Sequence, residues 1–215
     1  MDLHQLVNSA FEAYRDLQQT HPLLGAILTA GIVYPIGDIT SQLLTDKKID
    51  WIKVRFTATL SPLYGAGIYG LMETGNLVGD HISEEPLAKA ALGPNFLGNL
   101  YNTFFFVNNT VGERTRYRLK DLVNNYSAIF RDRRLGTIWK NFKERYVKNI
   151  PGKEYLNSVI GTLTAWNVFQ YCNYAYISDE MQTPAALGAG FVWTSFLSLW
   201  SLRGRRKIVE KEKSL

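Results

Sequence analysis

Polar positions along this chain cluster instead of alternating. Lys, Arg, Asp and Glu are absent from five stretches, 17–37, 56–72, 90–112, 155–178 and 181–202. Random scatter at 20% charge would give roughly one uncharged run long enough to span a bilayer, so five is a strong excess. About 20 helical residues cross a hydrocarbon core of about 30 Å. The pattern predicts an all-α polytopic membrane bundle of four to five transmembrane helices. The spans fall at about 21–44, 56–79, 88–112, 155–178 and 181–202, with a basic surface insertion over 113–154. Leu3, Leu6, Val7, Ala10, Phe11 and Tyr14 recur at helical spacing ahead of the first span. They predict a short amphipathic helix, lying at the interface or extending the first span.

The runs are not uniformly apolar. Segment 90–112 holds Asn95, Asn99, Asn102, Asn108 and Asn109, and segment 155–178 holds Asn157, Asn167, Gln170 and Asn173. A soluble bundle of five buried helices would carry a stripe of charged residues on each helix. Here the polar positions are amides, hydroxyls and small residues, the kind that join helices inside a membrane.

Charge supports the same reading independently. With five spans, the connections that share one side hold two Lys/Arg and those on the other hold twenty-two. The positive-inside rule then places the N-terminus outside and the C-terminus inside, in cytosol or matrix. Composition adds little. The chain has 215 residues and a net charge of +5, which on average resembles a soluble domain. That average merges an uncharged half with a densely charged one.

The acidic start of the chain fits neither a signal peptide nor an Arg-rich transit peptide. Cys172 is the sole cysteine, which excludes an internal disulfide, and is read as a helix-packing residue. His4, His21 and His81 lack metal-ligand spacing. The sequons at Asn108 and Asn125 are read as chance occurrences. No cofactor and no catalytic constellation is expected.

Gly65-Ala66-Gly67-Ile68-Tyr69-Gly70 matches G-x-G-x-x-G in form only. A dinucleotide site needs a strand before it and a helix opening on it, whereas this motif lies within an uncharged run. Close helix packing is the better reading, as for Gly75-xxx-Gly79 and Ala186-xxx-Gly190. The basic, aromatic-bearing 113–154 segment has the composition of a nucleic-acid binder. Between two membrane spans, anionic headgroups are its nearer partners, as they are for 203–213. One or two amphipathic helices are expected over 113–148. Asp38 and Glu73 are acids near span ends, with either a helix-end or a pore-lining role.

Trp166, Gln170, Asn173 and Ile177 are spaced 0, 4, 7 and 11, so they share one helix face. Trp193, Leu197 and Trp200 make a matching stripe on the last helix. Gln170 and Asn173 serve either as interhelical hydrogen-bonding glue or as a polar pore wall.

Two regions resemble the Mpv-seventeen/PMP-twenty-two family of small peroxisomal and mitochondrial inner-membrane proteins. The run Trp166-Asn167-Val168-Phe169-Gln170-Tyr171-Cys172-Asn173-Tyr174, followed in register by Trp193-Thr194-Ser195-Phe196-Leu197-Ser198, is similar to the family's C-terminal signature. Near the N-terminus, His21-Pro22, Gly31, Gly37-Asp38 and Gln42 resemble its HP…G…GD…SQ segment, with Arg55, Pro62 and Tyr69 in register between the two regions. Asn167 and Ser178 replace the signature's two prolines and Gln182 its arginine, so neither a proline kink nor an arginine charge selector is carried over. Members are usually described with four spans; the charge count here favours five.

The resemblance implies a non-enzymatic organellar membrane protein that forms or regulates a weakly selective channel for ions or small metabolites. The mitochondrial inner membrane is expected first, a peroxisomal or vacuolar membrane next. Asp38, Gln42, Trp166, Gln170, Asn173, Trp193 and Ser198 are the candidate pore or packing residues, with Asp38, Gln42, Gln170 and Asn173 expected on one central polar path. Expected partners are the bilayer, its anionic headgroups and a second copy of the chain. No nucleic acid is expected. A membrane scaffold without transport is the alternative. A soluble helical regulator that binds nucleic acid through the basic loop is disfavoured.

Overall fold

The computed structural model describes residues 2–46, 48–131, 135–145 and 152–213, and the described residues contain helices and no strands. Helix α1 covers Leu3–Thr20, α2 Pro22–Asp46 and α3 Trp51–His81. Helices α4 (Pro86–Ala90) and α5 (Phe96–Arg114) are joined through a kink at Ala91–Asn95. Helices α8 (Gly152–Gly161) and α9 (Asn167–Tyr176) are joined through a π-turn at Thr162–Trp166. Helices α6 (Leu119–Phe130) and α7 (Leu135–Arg145) form the insertion, and α10 runs from Asp179 to Lys213.

Each of the five uncharged runs thus lies largely within one long helical unit. The units close a ring: α2 packs on α3, α3 on α4–α5, α4–α5 on α8–α9, α8–α9 on α10, and α10 on α2. Short connections make sequential neighbours antiparallel. One end of the ring therefore gathers the end of α2, the start of α3 and the end of α5. The opposite end gathers the starts of α2, α4 and α10 with the end of α9.

Local chemistry sets the helix limits. Asp2 and Gln5 form a reciprocal capping box at the start of α1, and the Asp50 carboxylate accepts the Ile52 and Lys53 N–H groups at the start of α3. Such caps contribute about 1 kcal/mol each. Helix α2 runs unbroken past Pro35. The α4–α5 unit bends at Gly93, whose φ of −85° and ψ of −107° are non-helical. Pro94 excludes its predecessor from the helical region. With no side chain, Gly93 sits directly on the Gly75 backbone of α3, where an added Cβ would fall 2.5 Å from the Gly75 Cα.

The N-terminal segment is helical as its spacing predicts. Its C-terminal half crosses α2 and α10: Tyr14 hydrogen-bonds Thr29 (2.8 Å), and Arg15 pairs with Glu180 (3.4 Å). Backbone hydrogen bonding at the α10 start holds the Glu180 carboxyl below the usual carboxylate range, and the Arg15 charge adds to this. Leu6, Val7 and Phe11 stay more than half exposed on α1. The insertion holds two helices, at the upper end of the sequence expectation. It is anchored more firmly than a surface segment would be. Leu122 of α6 is buried in the core, and Tyr126 donates to Asn108 Oδ1 (2.6 Å).

The outer wall is apolar, and the interior mixes an apolar core (Phe56, Leu60, Met72, Phe106 and Leu187 among others) with buried polar groups. Leu28, Ile32 and Ile36 of α2, Leu63 of α3, and Phe96 and Leu100 of α5 face outward, each about half exposed or more. Leu156, Ile160, Leu163 and Val168 of α8–α9, and Val192 and Phe196 of α10, do the same. Asp38, Gln42, Lys53, Asn95, Asn102, Gln170 and Asn173 are buried. By length and mean hydropathy alone, one described helical segment, Pro22–Leu44, is apolar enough to cross a membrane. The amides of α5 pull its average down, and α8 and α9 are each only 10 residues long.

Candidate functional site: the polar interior of the ring

The interior carries polar groups at three levels. At the end where α2 meets α3, Asp38 and Lys53 form an ion pair, Nζ to Oδ1 2.9 Å, with both side chains more than nine-tenths buried. The other carboxylate oxygen accepts from Gln42 Nε2 (3.1 Å) and Thr57 Oγ1 (3.3 Å). Gln42 Oε1 accepts the Asp50 backbone N–H (2.6 Å), which ties the pair to the cap of α3. Beside this network lies an open cleft of about 400 Å³, lined by Gln42, Asp50, Lys53, Glu113, Arg116 and Tyr117 among others. Arg116 and Tyr117 both adopt left-handed backbone, with φ of 49° and 57°. This conformation is uncommon outside glycine. It reverses the chain after α5 and brings the Tyr117 ring edge-on to Phe56.

At mid-height the Tyr34 and Tyr101 hydroxyls hydrogen-bond each other. Asn102 Nδ2 donates to Thr162 Oγ1 (2.7 Å), and Trp193 Nε1 donates to Asn102 Oδ1 (3.3 Å). These groups surround an internal cavity of about 20 Å³, room for about one water. The Gly93 kink and the Thr162–Trp166 π-turn face each other here, with Asn95 Nδ2 donating to Asn167 Oδ1 at 2.6 Å. A π-turn inside an α-helix is a frequent feature of functional sites.

At the far end, Asn173 Nδ2 donates to the Gln182 carbonyl of α10 (3.1 Å) and to Gln170 Oε1 (3.2 Å). Gln182 Nε2 donates to the Ile177 carbonyl and to Asp179 Oδ1. Asn173 and Gln182 therefore latch the tight turn between α9 and α10. Asn173→Leu is expected to lower stability in detergent by about 0.6–2 kcal/mol. Gln170→Leu, which removes a bond within one helix only, should lower it less. Thermal unfolding of the two variants side by side tests the order, and a larger loss for Gln170→Leu would contradict the latch.

The structure places the expected site residues as follows. Asp38, Gln42, Gln170 and Asn173 are all buried in the interior, but not together. Asp38 is sixteen residues into α2 from Pro22, while Asn173 is three residues from the end of α9 at Pro22's end of the ring. At 1.5 Å per residue the two clusters lie about 20 Å apart along the axis. Closely packed rings and amides separate them, so they do not line one continuous open path in this conformation. The Trp166 and Trp193 rings meet, centroids 6.0 Å apart. The side chains of Leu197, Ser198 and Trp200 lie outside the described residues. Cys172 is exposed on α9, not packed between helices: it immediately precedes the buried Asn173, and its own position turns outward. Among the described residues, no three His, Cys, Asp or Glu side chains gather as a metal site.

The glycine motif divides residue by residue. A Cβ on Gly65 would fall 2.6 Å from the Ala26 carbonyl oxygen and 2.9 Å from the Ile27 Cα, so α2 and α3 touch backbone to backbone there. Gly70, in the same motif, has nothing within 4 Å.

Sequence reasoning missed Lys53, which it counted as a loop charge, gave Tyr34 and Thr162 no role, and read Asn102 only as one of the helix-joining amides. Spacing carried a signal for one of them. Asn95, Asn99 and Asn102 repeat the 0, 4, 7 pattern of Trp166, Gln170 and Asn173 on the facing unit. Comparison with family models, curated proteins and solved structures gives no match to this chain.

Proposed function

We propose that the five helical units cross a bilayer, with the N-terminus outside. In this reading the protein forms or regulates a weakly selective path for ions or small polar metabolites in an organellar membrane. The resemblance to the Mpv-seventeen/PMP-twenty-two family suggests the mitochondrial inner membrane first, then peroxisomal or vacuolar membranes. The carrying observation is the apolar outer wall of the ring, which encloses an interior where amides, hydroxyls and the Asp38–Lys53 ion pair lie among apolar core residues. Buried ionisable residues in a membrane bundle mark functional positions by default. Asn95 Oδ1, Asn99 Oδ1, Asn173 Oδ1 and Gln182 Oε1 are buried without hydrogen-bond partners. Unpaired buried acceptors are costly in a purely structural core, and they suit a path that exchanges polar occupants.

The close packing at mid-height favours a second reading, a scaffold that stabilises other membrane proteins without transport. Planar-bilayer recording of the pure protein separates the two. A path predicts conductance that changes in Asp38→Asn and Asn173→Leu. Silent bilayers, or conductance indifferent to both substitutions, would leave the scaffold. Carbonate extraction with protease protection of 113–154 tests integration and sidedness, and release of the chain into the supernatant would refute both readings.

A further inference from the structure

One exterior feature has a composition unlike the rest of the outer wall. Two clefts follow one another along a single face of α3. The first, about 190 Å³, is lined by Ile52, Arg55, Phe56 and Thr59 of α3 and by Tyr117 and Leu119 at the entry to α6. The second, about 460 Å³, lies between Leu63, Gly67 and Leu71 of α3 and Leu97, Leu100 and Phe104 of α5. On α3, positions 52, 56, 59, 63 and 67 advance by three or four residues, which keeps them on one face. From Arg55 to Leu71 the groove runs about 24 Å at 1.5 Å per residue.

Its two ends differ in chemistry. Arg55 is the one fully charged residue lining the first cleft, it is exposed, and it has no carboxylate partner among the described residues. Arg118 and Lys120 flank Leu119 and are also exposed. The second cleft is almost wholly apolar. The tyrosines at its back, Tyr64 and Tyr101, turn their hydroxyls inward to Asn108 and Tyr34. Gly67 leaves the α3 wall bare, and a Cβ there would meet only the Tyr101 ring, at 3.8 Å. In the five-span reading, the basic end lies on the side to which the charge count assigns twenty-two of the Lys/Arg residues.

The geometry points to a binding site for one anionic phospholipid, its phosphate against Arg55 and one acyl chain along Leu63, Gly67 and Leu100. A cationic head with an apolar slot running from it toward mid-bilayer matches the two halves of such a lipid, and basic pockets between membrane helices on the inner side bind anionic headgroups. The site rests on the membrane-spanning reading above.

The test uses the full chain in a nonionic detergent, given equal dioleoyl-phosphatidylglycerol and dioleoyl-phosphatidylcholine, with retained lipid read by native mass spectrometry. Phosphatidylglycerol should be retained about fivefold over phosphatidylcholine, the worth of one basic residue near the surface. Arg55→Gln should erase that preference. Gly67→Leu, which fills the slot, should lose both lipids. Leu100→Asn, at an exposed position of the opposite wall, makes the same test should Gly67→Leu fail to fold. Equal retention of the two lipids by the wild type would overturn the site, as would unchanged preference in Arg55→Gln. A dimer that Gly67→Leu dissociates while lipid retention is unchanged would overturn it in favour of a second copy. Carbonate extraction keeps the two failures apart: a chain that stays with the membrane but shows no lipid preference loses this site alone.

Discussion

Lys53→Met will destabilise the bundle by about 3–5 kcal/mol, the cost of leaving one member of a buried ion pair uncompensated. Asp38 would keep its bonds from Gln42 and Thr57 but lose the one cation within reach, at a position where its side chain is 4% exposed. Asp38→Asn strands the Lys53 ammonium in the same way. The double variant Asp38→Asn/Lys53→Met should recover most of the loss, because no charge is then left buried and the asparagine can still accept from Thr57. A double-mutant cycle on thermal unfolding in detergent isolates the coupling. Single losses that simply add in the double variant would show that the pair is not coupled. The functional counterpart is sharper: a conductance that survives the double variant would assign the pair to the architecture and not to the path.

Gly65→Ala and Gly70→Ala should move stability in opposite directions. At Gly65 the added methyl meets the α2 backbone, which cannot rotate aside as a side chain can. The helices must separate, and overpacking of this kind lowers stability by about 1–3 kcal/mol. At Gly70 the methyl enters open space, and alanine is favoured over glycine in a helix by about 1 kcal/mol. Unfolding curves for the two variants, which differ from wild type by one carbon each, read the contrast directly. Equal effects would remove the close-packing account of the motif.

The helices were legible because membrane-type segregation leaves a mark that needs no side-chain geometry. Long uncharged runs became long helices, and the 113–154 insertion became the amphipathic pair α6 and α7. Part of the interior was legible in the same way: Asn95, Asn102, Asn108, Gln170 and Asn173 of the two amide-bearing runs are buried. What spacing could not convey was depth. Lys53 reads as a loop residue, three positions before the second uncharged run. The Asp50 cap starts α3 early and carries it into the interior, where Asp38 waits one helix away. Asp38 and Asn173 both read as polar residues in spans, yet antiparallel packing puts them near opposite ends of the ring. The kink at Gly93 and the π-turn at Thr162–Trp166 were hidden too, and the latter occurs without any proline.

The neutralisation of Lys53 by Asp38 has a consequence for any path through this ring. Channels that discriminate by sign present rings of like charge to the permeant species. Among the described residues, the buried Lys53 cation is cancelled by an anion 2.9 Å away, and the groups at mid-height, Tyr34, Tyr101, Asn102, Thr162 and Trp193, are uncharged dipoles. Under a salt gradient such a path has little reason to prefer cation over anion, so its reversal potential should sit near zero. Lys53→Met would leave a lone carboxylate in the wall and should pull that potential toward the cation's. Asp38→Asn should pull it toward the anion's.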